Sequence, residues 1–425
     1  MRIGILGGGI SGLALQKHLQ HDSLVLEMED RVGGLCRSFE KEGFRYDIGG
    51  HILFSKHKHV NELVDRLLGD NIHYERRANV IYYKGRYVKY PFENDLAALP
   101  LEDRYECLID YLKAVPGEYT NLEEWAYGTF GRGISDKYFL PYNRKIWNRD
   151  PKDISLEWVS RIPKPPMEDV VKSALGISTE GYLHQLNFRY PLNGGFESLV
   201  HTLIGDRSKI LTGTPITKID RKGEGWAVRS GEQAWEFDKI VVSFPIHNAL
   251  QCFDNVPAEV QEAVAGLRYN AIRICLIGVN NETLTGKSAV YVPDPSVLPN
   301  RLCYMGYFSP TMVPAGCSSV MCETTTTPGD EVDTMSDEAF IERVVDDLDR
   351  IGILNKADVI VTETRRFEYA YPVYDHGYSE KTAILRNYFK SIGVDLLGRF
   401  AEFDYINSDE CLHRALLLAD KLNAS

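Results

Sequence analysis

Three short stretches of the chain are apolar almost without interruption. Met1 to Leu6 (MRIGIL) and Lys239 to Phe244 (KIVVSF) read as buried parallel strands, and Ser23 to Glu27 (SLVLE) as a third. Between the first and the third, Leu13, Leu15 and Leu19 fall at helical spacing within Ile10 to Leu19, so the first thirty residues predict a βαβ unit. Thr217 to Gly231 alternates apolar and polar positions and predicts a hairpin, and a further strand-like cluster covers Val359 to Tyr369. Residues from about 52 to 190 are rich in helix formers and aromatics, with helices expected over Asn61–Leu68, Leu101–Ala114, Leu122–Thr129 and Ile134–Trp147. Residues from about 265 to 330 predict antiparallel strands (IRICLIGV, AVYVP, RLCYMGYF, SSVMCETTT), and the polar run Thr324–Asp333 reads as a solvated loop. Dinucleotide-fold pieces are thus interleaved with inserted helical and sheet regions.

Composition narrows the class. The 425 residues suffice for two or three domains, and 44% hydrophobic with 25% charged residues is an ordinary globular balance. The net charge of −12 leaves no diffuse basic face for nucleic acid or anionic lipid. Any bound anion must therefore be gripped by a few placed arginines. The eight cysteines are scattered, with no C-x-x-C pair, which argues against a zinc site or a disulfide framework and for buried reduced thiols. No apolar run approaches the ~18 residues of a membrane span. The N-terminal apolar stretch is broken by Gly7, Gly8 and Gly9, so a cytoplasmic enzyme is expected.

The first candidate chemistry is Gly7-Gly8-Gly9-Ile10-Ser11-Gly12, a G-x-G-x-x-G between a strand and a helix. Gly7 permits the tight turn, Gly9 lets backbone approach a pyrophosphate, and Gly12 lets helix and strand pack closely. The helix start, including Ser11, offers free N–H groups to phosphate. Glu27 ends the following strand, where a carboxylate meets ribose hydroxyls. Asp30-Arg31-Val32-Gly33-Gly34 follows at once, and Arg31 with Gly33 and Gly34 suits a second approach of cation and backbone to a longer dinucleotide. This R-x-G-G pattern resembles the FAD signature of the glutathione-reductase-like and amine-oxidase-like flavoproteins. It implies FAD held in an α/β, Rossmann-like (glutathione-reductase-like) domain built from residues 1–85, 190–250 and 360–425. A mainly helical insertion would cover 86–189 and an antiparallel-sheet substrate region 251–359. Ile216, after a short strand, occupies a position that in such flavoproteins meets adenine, although a lone Ile is equally a core residue.

Further segments resemble the UDP-galactopyranose mutase family, in that family's order. They are Asp47 to Phe54 (DIGGHILF), Tyr90 to Asn94 (YPFEN), Tyr142 to Trp147 (YNRKIW) with Asp150-Pro151 and Ser160-Arg161, Tyr291 to Pro310, and Gly398-Arg399-Phe400 with Tyr405, Asn407 and Asp409. The resemblance implies that reduced flavin acts as a nucleophile through N5 at the anomeric carbon of a nucleotide-diphosphate sugar. Pyranose and furanose then exchange with no net redox change, and an external donor such as NAD(P)H keeps the flavin reduced. It further implies that Arg161 and Arg301 hold the diphosphate, with Tyr371 hydrogen-bonding to it near the flavin. Tyr142, Trp147 and Tyr291 would line the substrate pocket. Gly49, Gly50 and His51 would form the loop against the isoalloxazine, with His51, Arg161, Arg301 and Tyr371 the catalytic set. Arg399, Tyr405, Asn407 and Asp409 would supply the cofactor's C-terminal contacts, with Tyr405 shared by the substrate.

The resemblance also implies a homo-oligomer, although no surface in the sequence announces an interface. Alternatives stay open at single positions: a salt bridge for either arginine, core packing for Trp147 and Tyr291, a capping role for His51, and an N-cap role for Asp409 at a helix over Glu410–Leu422. Phe308 stands where the family places a substrate-contacting tyrosine, and the segment after Arg161 matches no base-recognition region, its aromatics Tyr182 and Phe188 included. The sugar and base are therefore undetermined. An FAD-dependent oxidoreductase of the amine oxidase or protoporphyrinogen oxidase type shares the Gly7–Gly34 region, and a non-catalytic flavin-binding protein is a third reading.

Overall fold

The computed structural model describes residues 1–162, 164–180 and 186–424; Tyr182 lies outside them. The apolar strands read from the sequence are the centre of a five-stranded parallel sheet. Its order is Asp395–Leu396, Lys239–Val242, Arg2–Leu6, Asp22–Leu26, Ile210–Leu211. Ile3, Ile5, Val241 and Val242 are fully buried because both faces of the sheet are covered. On one face the helix Ile10–His18 packs against the C-terminal helix Ser408–Asn423. A three-stranded antiparallel sheet, Lys218–Lys222, Gly225–Ser230 and Gln233–Phe237, places Phe237 against Gly4 so closely that a Cβ there would lie 2.6 Å from the ring.

The other half is built on a seven-stranded sheet in the order Val359–Pro372, Tyr269–Val279, Ser318–Thr326, Arg301–Tyr304, Ala289–Tyr291, Asn79–Tyr83, Arg86–Lys89. Every pairing is antiparallel except Ala289–Tyr291 with Asn79–Tyr83. The hairpin of Asn79–Tyr83 and Arg86–Lys89 and the strand Val359–Pro372 both belong to this sheet, so boundaries drawn at 85 and 359 pass through it. Nothing local in residues 79–89 or 359–372 says which sheet their strands join, because pairing partners far away in the chain decide it. The solvated loop expected at Thr324–Asp333 is corrected at its start. Thr324, Thr325 and Thr326 are buried in the strand Ser318–Thr326, between two neighbours, where β-branched side chains suit the pleat.

The helical region contains Leu101–Lys113, Leu122–Ile134 and Leu140–Trp147. The continuous helix expected over Ile134–Trp147 begins instead with a π-helical turn, Ser135–Phe139. All eight cysteines are unpaired thiols, and seven are buried. Among the described residues no helix is long and apolar enough to cross a membrane.

Candidate functional site

Gly7 turns at φ +115°, and Gly12 lies so near that a Cβ on it would sit 2.2 Å from the Gly7 carbonyl oxygen. Helix and strand approach as the motif requires. Around a Cβ on Gly9 there is open space within 4 Å, and the helix that follows has no side-chain cap on its first turn. The second glycine pair closes on the first: Gly33 N–H donates to the Gly8 carbonyl at 2.9 Å, and Gly9 and Gly33 form an isolated bridge. Glu27 is held in place through both oxygens, accepting from Gly8 N–H at 2.6 Å and Glu29 N–H at 2.9 Å. An anion cradle and an acidic strand end are thus formed in the chain itself, and they fit the pyrophosphate and ribose of FAD.

Arg31 does not face that cradle. Its guanidinium lies over Phe39 at 4.7 Å and meets Glu197 and the Ser38 carbonyl. Arg37, which the sequence reasoning missed, lies beside the turn instead, donating to the Gly34 carbonyl at 2.9 Å. Ile216 is half-buried outside any strand, with its carbonyl accepting from the Cys252 thiol.

A second group of residues gathers at the seven-stranded sheet. Arg301 opens the strand Arg301–Tyr304 and pairs in register with Glu323 on the neighbouring strand. Their side chains meet as well, with Arg301 Nε 3.0 Å from Glu323 Oε2 and Nη2 closer still. Glu323 is fully buried, and its other oxygen accepts from the Tyr371 hydroxyl. Glu323 is a functional candidate that sequence reasoning missed; its one signal was a lone carboxylate in an otherwise apolar and threonine-rich strand.

The loop expected to lie against the flavin stands over this pair. Gly49 is at φ +80°, and a Cβ there would lie 3.2 Å from Glu323. His51 stacks on Phe196 at 5.1 Å, and its Nδ1 is buried without a partner. Burial, reinforced by Arg399 and Arg301, pushes His51 down to about 3, so its ring is neutral at neutral pH.

Tyr371 stacks on Tyr405, centroids 5.5 Å apart and planes within 11°. Two guanidiniums lie over Tyr405, Arg399 at 4.8 Å and Arg161 at 5.4 Å. Arg399 is fixed through the carbonyls of Ile406 and Ala370. Arg161 has only a loose counter-charge: Asp404 is 4.0 Å away and already bound by Arg414 at 2.7 Å and Tyr374 at 2.9 Å. Trp147 is buried edge-on to Trp158 at 4.9 Å, with its indole N–H unpaired. Tyr142 packs edge-on to Tyr291 at 5.3 Å, and Tyr291 accepts a hydrogen bond from Asn79. Burial raises the Tyr142 hydroxyl well above its usual range; Tyr291, Arg301, Glu323 and Tyr371 all act on it electrostatically.

Three expected residues take other positions. Phe308, with no hydroxyl to offer, is buried against Phe188 and Tyr190 in the core. Asn407 is exposed and is itself the N-terminal cap residue of the helix Ser408–Asn423, so Asp409 is not the cap but lies in the first turn. Burial raises the Asp409 carboxyl, with Ser55 hydrogen-bonded to it.

A glycine-rich strand–turn–helix on a parallel sheet, joined to an antiparallel sheet bearing the polar cluster, defines a dinucleotide-binding α/β flavoprotein. The chain belongs to the family of flavin-containing amine oxidoreductases, which it matches over residues 10–379. Membership implies a flavin cofactor, FAD. The fold is similar to that of a reduced UDP-galactopyranose mutase, with a TM-score of 0.91 and 24% identity over 100% of this chain and 95% of that one. In sequence it is similar to amine oxidase [flavin-containing] A of Sus scrofa, 25% identical over 64% of this chain and 55% of that protein. It is also similar to all-trans-retinol 13,14-reductase of Danio rerio, 29% identical over 28% of this chain and 20% of that protein. The chain thus spans between a fifth and just over half of the length of the first curated relatives it matches.

Proposed function

We propose that the protein is a flavin-dependent mutase exchanging pyranose and furanose forms of a nucleotide-diphosphate sugar. The observation that carries this reading is the pair of arginines at the two ends of one tyrosine stack, Arg301 at Tyr371 and Arg161 over Tyr405. With Arg399 they make three guanidiniums against the carboxylate of Glu323 and that of Asp404, which Arg414 already holds, a positive excess that suits the roughly two negative charges of a diphosphate. Reduced FAD, when bound, would supply a nucleophilic N5 toward the anomeric carbon.

The chain's own contributions are binding and orientation. Arg161 and Arg301 take the diphosphate oxygens, and Tyr371 stands between them within hydrogen-bond reach of Arg301. Glu323 fixes the Arg301 fork so that its free N–H edge is aimed before ligand arrives. Neutral His51, stacked on Phe196, adds no charge to the cleft beside Arg301 and Arg399. Tyr142, Tyr291 and Trp158 provide apolar walls that exclude water.

Amine oxidation is the second reading, and family membership favours it. Against it, an ammonium held between aromatic faces needs a gap that Tyr371 and Tyr405 do not leave at 5.5 Å, and Tyr405 already carries two guanidiniums of the chain itself. The test is a panel of UDP-, dTDP- and GDP-sugars given to protein reduced by dithionite or NAD(P)H, read by chromatography. A shifted isomer of one sugar with no net oxidation, absent with oxidised protein, is expected. Steady hydrogen peroxide from an amine, with no isomer from any sugar, overturns the mutase reading.

A further inference from the structure

Lys145 sits on the helix Leu140–Trp147, between Tyr142 and Trp147, and its ammonium points into the loop joining Ala289–Tyr291 to Arg301–Tyr304. Nζ donates to the carbonyl oxygens of Val292 at 2.9 Å, Asp294 at 3.0 Å, Val297 at 2.7 Å and Pro299 at 2.7 Å. Three protons are thus shared among four acceptors. The loop is gripped from its other side by an anion: Leu298 N–H donates to Asp347 at 2.8 Å, and Asp347 is held by Arg343 and Arg350. Cation on the carbonyl side and carboxylate on the amide side leave the loop little freedom. The two strands it joins carry Tyr291 and Arg301 directly opposite each other, and Tyr291 meets Tyr142 from the lysine's own helix.

A desolvated ammonium with no ion-pair partner is costly unless its hydrogen bonds are satisfied, and an uncharged side chain of similar length would fill the space without that cost. We propose that Lys145 is a positioning residue that fixes Tyr291 and Arg301 against the Tyr142–Trp147 helix, and thereby sets the affinity of this cleft for a nucleoside diphosphate. The second clause rests on the mutase reading; the first does not.

The pin is proton-dependent. Burial pushes Lys145 down to about 7, while Asp294 and Asp347 pull it upward; Arg343 and Arg350 in turn offset Asp347. Below that pH the ammonium holds all four carbonyls. Above it the amine keeps two protons and turns a lone pair toward carbonyl oxygens, so the grip weakens as pH rises.

The test compares flavin-loaded wild type with Lys145→Met and Lys145→Arg. Hydrogen exchange of the 292–300 amides, corrected for intrinsic exchange, is expected to be at least tenfold faster in Lys145→Met at pH 6. In wild type it should accelerate between pH 6 and 8.5, and in Lys145→Met it should not. UDP should bind Lys145→Met at least tenfold more weakly at pH 6, with Lys145→Arg restoring part of the loss and flavin content unchanged in both. Unaltered exchange overturns the pin, and altered exchange with unaltered UDP affinity overturns its effect on the cleft. Wild type that binds none of UDP, dTDP and GDP overturns the mutase reading and that second clause together, while exchange still decides the pin. If Lys145→Met does not fold, Lys145→Gln read by the same exchange at pH 6 decides it.

Discussion

Arg301 is bound to Glu323 before any ligand arrives, through a carboxylate with no exposed surface whose second oxygen holds Tyr371. Glu323 therefore orients two groups of the cleft and at the same time offsets the charge Arg301 presents to an anion. Replacing it with the isosteric amide separates these effects. Glu323→Gln should lose about 3 kcal/mol of stability, because a buried ion pair is left with one charged member. It should nevertheless bind UDP more tightly, since the neighbouring negative charge is gone. Denaturant unfolding and a UDP titration on the same preparation check both signs, and weaker binding would mean that aim outweighs charge here.

Arg161 presents the opposite case. Its ion pair is long and its side chain is 35% exposed, so Arg161→Ala should leave the unfolding midpoint almost unmoved. Loss of charge-assisted hydrogen bonds to a diphosphate should weaken UDP binding by about 2 kcal/mol, roughly thirty-fold. Flavin content measured alongside should not change; a colourless variant would place this arginine with the cofactor.

The glycine turn makes a prediction that distinguishes fold from cofactor. A methyl group on Gly9 meets open space, and its backbone, at φ −72° and ψ 178°, suits alanine. Gly9→Ala should fold with wild-type stability yet hold far less FAD, because the methyl occupies the approach to the pyrophosphate. Gly12→Ala should fail in both respects, since its methyl would press on the Gly7 carbonyl. Flavin absorbance per mole of chain, set beside thermal unfolding, reads the difference.

Glu93 links stability to pH. It is buried, and burial raises its carboxyl to about 7. An acid whose folded pKa is raised binds its proton more tightly when folded, so stability is lost as pH rises from the ordinary glutamate range toward 7. Relative to Glu93→Gln, wild type should lose about 3 kcal/mol between pH 4.5 and pH 8. Parallel unfolding curves for the two proteins across that window would show that Glu93 is solvated.

What the sequence disclosed follows from what physics leaves no choice about. The strand-turn-helix at Gly7–Gly12 was legible because a close backbone approach admits only glycine at Gly12, and the parallel core strands because burial on both faces demands continuous apolar runs. Tyr371, Arg301 and Tyr405 could be named from motif order. Their mutual geometry could not, since Tyr371 and Arg301 are seventy residues apart and the sheet register alone joins them through Glu323. A single acid between Cys322 and Thr324 looks the same in a sequence whether it faces solvent or an arginine. The same ambiguity misplaced Thr324–Thr326, whose polarity suggested a loop while their branching suited a central strand. Arg31 and Arg37 are both near the second glycine pair in the chain, and only the ring of Phe39 and the carboxylate of Glu197 decide which of them turns away.

The parallel pairing of Asn79–Tyr83 with Ala289–Tyr291 has a bearing on how the protein is made. A ribosome delivers the first hairpin some two hundred residues before the strand that will lie beside it, so one hairpin edge stays unsatisfied through about half of translation. Biosynthesis of this protein is thus a race between late closure of the sheet and adventitious pairing with other nascent chains, and slower elongation beyond residue 100 would lengthen that hazard.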